Sequence, residues 1–187
     1  YKEGWIRAIG VSNFYPDRLV DLCSFVEVKP AINQVETHIF QQQTAAHEYM
    51  EKYGVQHESW GPFAEGRKDF FTNPVLNEIG KKHDKSAAQV AQRFLLQSDV
   101  VVIPKSTHKE RMEENINVFD FALDASDMNA IRALDEKESL FFSHYDPAIA
   151  EMMIKLHKPK GDKSIFLRLS RYAFVYRLFC CPKVGYN

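Results

Sequence analysis

Short apolar runs alternate with amphipathic stretches along most of this chain. The runs at residues 6–11, 31–36, 55–60 and 100–103 each predict a β-strand, the last of them buried. Helical spacing or helix-start residues mark the stretches at 16–26, 42–53, 74–83, 86–97, about 107–117 and from 124 onward. Successive strands begin 24 to 45 residues apart, which leaves room for helical crossovers and therefore for parallel pairing. The sequence predicts an α/β fold with parallel strands.

Inward-facing positions follow from the same periodicity. In the second helix, which we expect to end at Gly54, the inner face is predicted to carry Ala45, Ala46, Tyr49 and Met50. In the helix at 86–97 the predicted inner face is longer and consists of Ala87, Val90, Ala91, Phe94 and Leu95.

Polar residues cluster where the predicted strands end. They are Ser12 and Asn13, the segment 34–36, Trp60, and the pair Lys105 and Ser106. The carboxyl ends of parallel strands are where α/β folds place ligands, so four such clusters favour a shared ligand site. A single Asn or Gln at a strand end is more often a structural hydrogen-bonding group, and this alternative stays open for each residue alone.

The segment that follows the fourth strand has the character of a phosphate site. Lys105, Ser106 and Arg111 lie between a strand end and a helix start, where backbone amides and the helix dipole favour anions. An ammonium and a forked guanidinium suit a compact, doubly charged group such as a phosphate monoester. The alternative is an ordinary solvated helix start.

Composition sets limits on the class of protein. The 187 residues fit one globular domain, with 45% hydrophobic and 26% charged residues and a net charge of −1. Three cysteines without metal-ligand spacing predict a reducing, cytoplasmic location with no disulfide framework and no metal site. The N-terminus lacks both a signal-peptide pattern and an initiator Met, so we expect the chain to begin partway through a longer protein. We expect no nucleic-acid partner.

Five motifs in order along the chain resemble the aldo-keto reductase family. They are GWIRAIGVSNF at 4–14, NQVE at 33–36, SWGP at 59–62, KSAAQV at 85–90 and IPKSTHKERMEEN at 103–115. The resemblance covers roughly residues 1–156, and the segments 60–66 and 139–144 are most similar to bacterial members of the diketogluconate reductase kind. It implies the C-terminal half, strands 5–8, of a (βα)8 TIM barrel, and an NADP(H)-dependent oxidoreductase that reduces aldehydes or ketones.

The family pattern implies a role for each matching residue. At the nicotinamide end, Ser12, Asn13 and Gln34 match the groups that hold the carboxamide. Trp60 falls where the family usually has a tyrosine stacked on the ring, and an indole keeps that role. Gly61 replaces a more common serine, which puts one contact on the pyrophosphate side in doubt.

At the adenosine end, the resemblance implies that Lys105, Ser106 and Arg111 clamp the 2′-phosphate of NADP(H). Glu114 and Asn115 match the groups that contact adenine.

The family's catalytic Asp, Tyr, Lys and His belong to the first four strands of the barrel, which have no counterpart in this sequence. A replacement set drawn from local residues is not favoured; the candidates would be Tyr15, His38, Tyr53, His57 and His108. We therefore predict no catalytic residue in this chain and no carbonyl reduction by residues 1–187 alone. The alternative to an enzyme half is a catalytically inactive remnant or NADP-binding module.

Half a barrel would leave two open strand edges and an apolar inner face. Such a chain would aggregate, dimerise to close a pseudo-barrel, or be a fragment of a longer, monomeric protein, and the undisturbed motif order favours the last. The substrate is expected to be a small carbonyl compound, partly covered by a C-terminal loop at 135–156.

The resemblance ends at residue 157, and we divide the chain there into a partial barrel at 1–156 and an extension at 157–187. The extension carries seven Lys or Arg residues against one acid and is rich in aromatic residues. An amphipathic helix on an anionic membrane is one interpretation, but the favoured one is an extension with little defined structure.

Overall fold

The computed structural model describes residues 1–156 and 179–182, the latter as backbone. Two compact units divide the chain: residues 1–35, 45–56 and the part from 141 onward form the first, and residues 36–44 and 57–140 form the second. In chain order the elements are β1 (Ile6–Ser12), α1 (Pro16–Phe25), β2 (Ile32–Glu36), α2 (Thr44–Tyr53), β3 (Gln56–Trp60), α3 (Pro74–His83), α4 (Ala87–Gln97), β4 (Val101–Val102), α5 (Lys109–Ile116), α6 (Ala125–Arg132), α7 (Pro147–Leu156) and β5 (Phe179–Pro182).

In the first unit β1 and β2 pair in parallel, and β5 pairs antiparallel with β1. The register places Gly10 opposite Ile32 and Ser12 opposite Gln34, so the polar ends of both strands lie at one edge. The core beneath them is formed by Leu19, Cys23, Val35, Ala46, Met50 and Val55.

Helix α2 buries a narrower stripe than its periodicity predicts. Ala46 and Met50 are buried, but the prediction that Ala45 and Tyr49 also face inward is wrong, because both are exposed. Residues 45 and 49 lie about 100° around the helix from 46 and 50, and only one line of α2 reaches the core. The helix ends at Gly54 as predicted: Gly54 has φ +69°, and the Val55 amide donates to the Met50 carbonyl at 2.9 Å.

In the second unit β3 and β4 pair in parallel, with Ser59 opposite Val102. The core is centred on α4, and the five residues predicted to face inward on that helix are all buried. They pack with side chains from α3, α6 and the loops, including Phe70, Leu76, Ile79 and Ile131. Helix α4 begins after Ser86, whose hydroxyl accepts from the Gln89 amide while the Gln89 side chain accepts from the Ser86 amide.

The fourth strand is shorter and less buried than predicted. Only Val101 and Val102 form ladder bonds, and Val101 and Ile103 are 37% and 49% exposed. Side chains alternate between the two faces of a strand, so Val100 and Val102 meet the core while Val101 and Ile103 point away from it. An apolar run of four residues was therefore not enough to indicate burial on both faces.

Residues 147–156, expected to belong to a loop, form helix α7. Its start carries an ordinary signal, since Asp146 accepts from the Ala148 amide at 2.8 Å and Pro147 occupies the first helical position. Most of the extension at 157–187 lies outside the described residues, with the exception of β5. No helix within the described residues is long and apolar enough to cross a membrane.

The described residues thus form an α/β fold with parallel strand pairs, as predicted. The domain boundary between 156 and 157 remains a prediction.

Candidate functional site

In the first unit, the turn after β1 is held by the end of β2. The Ser12 hydroxyl and the Asn13 amide both donate to the Gln34 carbonyl, at 2.8 and 2.9 Å. Asn13 has φ +60°, a left-handed conformation that Asn adopts more readily than most residues. Ser12, Asn13 and Gln34, predicted to act together, are therefore joined by hydrogen bonds at one strand edge.

Asn33 is a positioning residue that the sequence did not assign. Its side chain is fully buried, accepts from the Phe14 amide at 3.2 Å and donates to the Phe14 carbonyl at 2.6 Å. This pair of bonds fixes the backbone that follows Asn13. The motif NQVE contained the signal, but a bond between positions 19 residues apart requires the strand register to be known.

The hydrogen bond made by Ser12 changes what its side chain can do. Because the hydroxyl proton is directed at the Gln34 carbonyl, the oxygen can only accept from a ligand. Ser12 therefore suits an N–H donor, such as the amino group of a carboxamide, rather than a carbonyl oxygen.

In the second unit, five of the predicted site residues line one cavity of about 500 Å³: Lys105, Ser106, Arg111, Glu114 and Asn115. The remaining wall is contributed by α3, the start of α4 and the aromatic rings of Phe63 and Phe71. Trp60 and Gly61 belong to this unit at the end of β3, but neither lines the cavity. Gly61 has φ +66°, a conformation that favours glycine over the serine common in the family.

Two cationic side chains, Lys105 and Arg111, line the cavity together with one carboxylate, that of Glu114. The side chains of Lys105 and Arg111 form no hydrogen bond or ion pair with any described residue. The Glu114 carboxylate accepts a hydrogen bond from the Ser86 hydroxyl. A ligand entering this cavity would meet two available cations, and an anion fits them best.

The loop between β4 and α5 is ordered by Ser106. Its hydroxyl accepts from the His108 amide at 3.1 Å, which forms a local side-chain turn immediately before Lys109. His108 precedes the first residue of α5 and makes no side-chain cap there. Ser106 therefore has a structural role in this loop in addition to lining the cavity.

Helix α5 is fixed against α4 by polar residues of the motif KSAAQV at 85–90, to which the sequence analysis assigned no role. Besides the Ser86 bond to Glu114, the Gln89 amide group donates to the carbonyls of Glu114 at 3.2 Å and Asn117 at 2.9 Å. These bonds place α5 so that Arg111 and Glu114 both reach the cavity.

Glu36 ends β2, and its carboxylate is enclosed by other residues of the protein. It is fully buried and accepts from His38 and from the Ser139 hydroxyl and Leu140 amide. Burial acts to raise the pKa of Glu36, but the hydrogen bonds prevail and hold that pKa below its ordinary value. Glu36 therefore has a structural role at the end of β2, and the predicted ligand site at 34–36 rests on Gln34.

The histidines and tyrosines weighed as replacement catalytic groups are mostly engaged in packing. His38 and His57 are buried, and His57 bonds to Thr37 at 2.8 Å. Tyr15 is buried against His144 and Tyr145, and Tyr53 packs at the edge of the core of its own unit. His108 is exposed and lines the cavity. No group of three or more potential metal ligands occurs among the described residues.

Comparison with known proteins gives the family. A model of the aldo/keto reductase family matches residues 1–136. The chain belongs to this family. Glyoxal reductase of Bacillus subtilis is 46% identical over 138 residues, covering 74% of this chain and 49% of that relative.

Solved structures of the family resemble the chain in fold. An aldo-keto reductase from a Medee basin deep-sea metagenome library has a TM-score of 0.76 at 40% identity, over 78% of this chain and 54% of that one. An aldo-keto reductase of the silkworm Bombyx mori, complexed with NADPH, has a TM-score of 0.69 at 32% identity, over 73% of this chain and 45% of that one. The chain spans about half the length of the relatives it matches.

Proposed function

We propose that this chain is the NADP(H)-binding half of an aldo-keto reductase that reduces small aldehydes or ketones. One observation carries the proposal: Lys105 and Arg111 line the same cavity, and neither is neutralised by a described residue. The silkworm relative crystallised with NADPH supports the choice of dinucleotide. The 2′-phosphate is the group of NADP(H) that two cations would recognise, and NAD(H) lacks it.

The remaining site residues are assigned to the rest of the dinucleotide, as the family resemblance implies. Glu114 and Asn115 are assigned to adenine, and the accepting oxygen of Ser12, with Asn13 and Gln34, is assigned to the carboxamide. Trp60 is assigned to the face of the nicotinamide ring, with Gly61 beside it. When bound, NADPH supplies the hydride, and these residues bind and orient it.

We propose further that the strands of this chain correspond to strands 5–8 of a TIM barrel. The matched part of the chain covers only about half of each relative, 48% and 49%, so the residues that protonate the substrate would come from outside these 187 residues. The engagement of His38 and His57 in buried hydrogen bonds supports this view. A dicarbonyl such as glyoxal is the proposed substrate class, from the name of the Bacillus relative, and a cytoplasmic location is part of the proposal.

Titration with NADPH, followed by its fluorescence, tests the clamp. Lys105→Ala and Arg111→Ala each remove one charge-assisted contact, worth about 1.5 to 3 kcal/mol, so we expect affinity to fall by roughly 10- to 150-fold. Lys109→Ala is the matched control, because Lys109 lies in the same segment, pairs with Glu113 at 3.6 Å and does not line the cavity. NADH should bind weakly to every variant. Unchanged NADPH affinity in both cavity variants would show that the phosphate site is misassigned.

Steady-state assays test whether residues 1–187 are catalytically active on their own. Purified residues 1–187 with NADPH and glyoxal are expected to show no oxidation of the nucleotide above the protein-free rate. Turnover that disappears in Arg111→Ala would contradict the proposal that the catalytic groups lie elsewhere.

A further inference from the structure

Gln92 is a polar residue in an apolar part of helix α4. Its side chain is 1% exposed, and its neighbours Ala91 and Leu95 belong to the core. Burying an amide is unfavourable unless both of its polar atoms are paired.

Only one of the two polar atoms of Gln92 has a partner. Its Nε2 group donates to Oδ1 of Asn115 at 3.2 Å, whereas its Oε1 has no hydrogen-bond partner among the described residues. An unpaired buried acceptor destabilises the folded state by at least as much as one neutral hydrogen bond stabilises it. On stability alone, an apolar residue of the same size would serve α4 as well or better.

The neighbouring Gln89 shows what a purely structural amide does at this interface. It donates to two backbone carbonyls of the segment 114–117 and so fixes the position of α5. Gln92 instead bonds to a single side chain, and that side chain lines the cavity. The bond occupies the oxygen of Asn115 and leaves its amino group, which has no partner among the described residues, for a ligand.

We propose that Gln92 is a positioning residue that sets the hydrogen-bonding polarity of Asn115 toward the nucleotide base. By holding Oδ1, Gln92 makes Asn115 a donor, which matches a ring nitrogen of a purine and disfavours a donor group at the same point. This inference rests on the proposed function, because it assumes that the cavity holds the adenosine end of NADP(H).

A double-mutant cycle with adenosine 2′,5′-bisphosphate as the probe tests the inference. Gln92→Met keeps the volume of the side chain and removes both polar atoms. We expect it to weaken binding about 3- to 10-fold, the range of one neutral hydrogen bond, in the otherwise unchanged protein. In the Asn115→Ala background the same substitution should change affinity by less than about 1.5-fold, because Asn115 is the route of the effect.

Thermal unfolding without ligand shows whether Gln92 has only a structural role, because loss of a structural contact would lower stability as well as affinity. Gln92→Met should unfold at the same or a higher temperature, since it removes an unpaired buried acceptor, while binding becomes weaker. Gln89→Leu is the contrasting control and should lower stability and affinity together. An equal loss of affinity from Gln92→Met in both backgrounds, or no loss in either, would overturn the inference.

Arg111→Ala in the same titration distinguishes failure of the proposed function from failure of the inference about Gln92. If Arg111→Ala leaves binding unchanged but the cycle shows coupling, the phosphate clamp is wrong and the role of Gln92 stands. If Arg111→Ala weakens binding and the cycle shows no coupling, the clamp stands and the role of Gln92 is wrong. Absence of any binding by the unchanged protein would overturn both.

Discussion

The buried carboxylate of Glu36 allows a sharp prediction of stability. Its Oε1 accepts from His38 Nε2 at 3.0 Å and from the Leu140 amide at 2.9 Å, and its Oε2 accepts from the Ser139 hydroxyl. The Phe40 amide donates to His38 Nδ1 at 3.3 Å, so in the neutral ring the proton lies on Nε2 and points at Glu36. Three donors thus converge on one carboxylate, one from the nearby residue His38 and two from the distant segment 139–140.

The atoms of Glu36 set the size of the effect. In Glu36→Gln the amide oxygen can replace Oε1, and the amide nitrogen can donate to the Ser139 hydroxyl after that hydroxyl rotates. Only the charge assistance is lost, so we expect the free energy of unfolding at neutral pH to fall by about 1 to 3 kcal/mol. Glu36→Leu leaves three donors without an acceptor, one of them on the fully buried His38, and should cost about 3 to 5 kcal/mol.

The pH dependence follows from the lowered pKa of Glu36. Burial acts to raise that pKa, and the bonds from His38, Ser139 and Leu140 more than compensate, so the folded value lies below the ordinary 4.5. The carboxylate therefore contributes its full stabilisation above pH 4.5 and loses it as pH falls from there through the folded pKa. Glu36→Gln has no such titration, so its deficit relative to the unchanged protein should be largest near neutral pH and should shrink in acid.

Urea unfolding followed by tryptophan fluorescence, repeated from about pH 7 down to about pH 3, measures this difference directly. Glu58→Gln in strand β3 is a matched control, since Glu58 is less buried than Glu36. If the stability of Glu36→Gln and that of the unchanged protein decline in parallel with falling pH, the carboxylate is not the source of the acid sensitivity.

Three further predictions concern stability, each measured by the same urea titration at neutral pH. Gly80→Ala should destabilise by about 1 to 3 kcal/mol despite the better helix propensity of alanine, because its Cβ would lie 2.3 Å from the Lys85 carbonyl oxygen; an unchanged midpoint would refute this close approach. Asn73→Ala removes the cap that accepts from two amides at the start of α3 and should cost about 0.5 to 2 kcal/mol, whereas Asn73→Asp should restore most of it. Asp127→Asn removes the pairing with His83 at 2.8 Å and with Lys82, and should cost about 1 to 2 kcal/mol. If added salt does not reduce this loss, His83, the less exposed of the two partners, is the larger contributor.

Elements whose ends are specified by local signals could be predicted from the sequence. Helices α3 and α4 begin and end within a residue of prediction because Asn73, Pro74 and Ser86 carry capping chemistry within the segment itself. The prediction of a buried strand at 100–103 was wrong because burial depends on what packs on each face of the strand. A run of apolar residues does not contain that information. The prediction of a loop at 147–156 was wrong for a different reason. The helix-start residues Asp146 and Pro147 are present in the sequence, but the family resemblance favoured a loop there.

The candidate site divides in the same way. Residue types at strand ends indicated Ser12, Gln34 and Lys105 before any geometry was known. Asn33 and Gln92 could not be found, since each acts through a bond to a residue 19 or 23 positions away whose proximity only the fold creates. Sequence pattern identifies groups that meet a ligand more readily than groups that orient them, because orientation is a tertiary property.

The position of the cavity indicates that dinucleotide binding can be separated from hydride transfer. All of its lining residues come from residues 63–115, within one unit that carries its own core. Three residues of the α4 segment bond to α5: Ser86 at the N-cap, and Gln89 and Gln92 within the helix. Helix α4 itself buries eight residues. Recognition of the adenosine 2′-phosphate should therefore depend on contacts inside this unit, whereas hydride transfer should require groups from the half of the relatives that this chain does not match. Binding of NADPH without turnover is consequently the expected behaviour of this chain, and selectivity for NADPH over NADH should respond to substitutions in α4 as well as to those in the clamp itself.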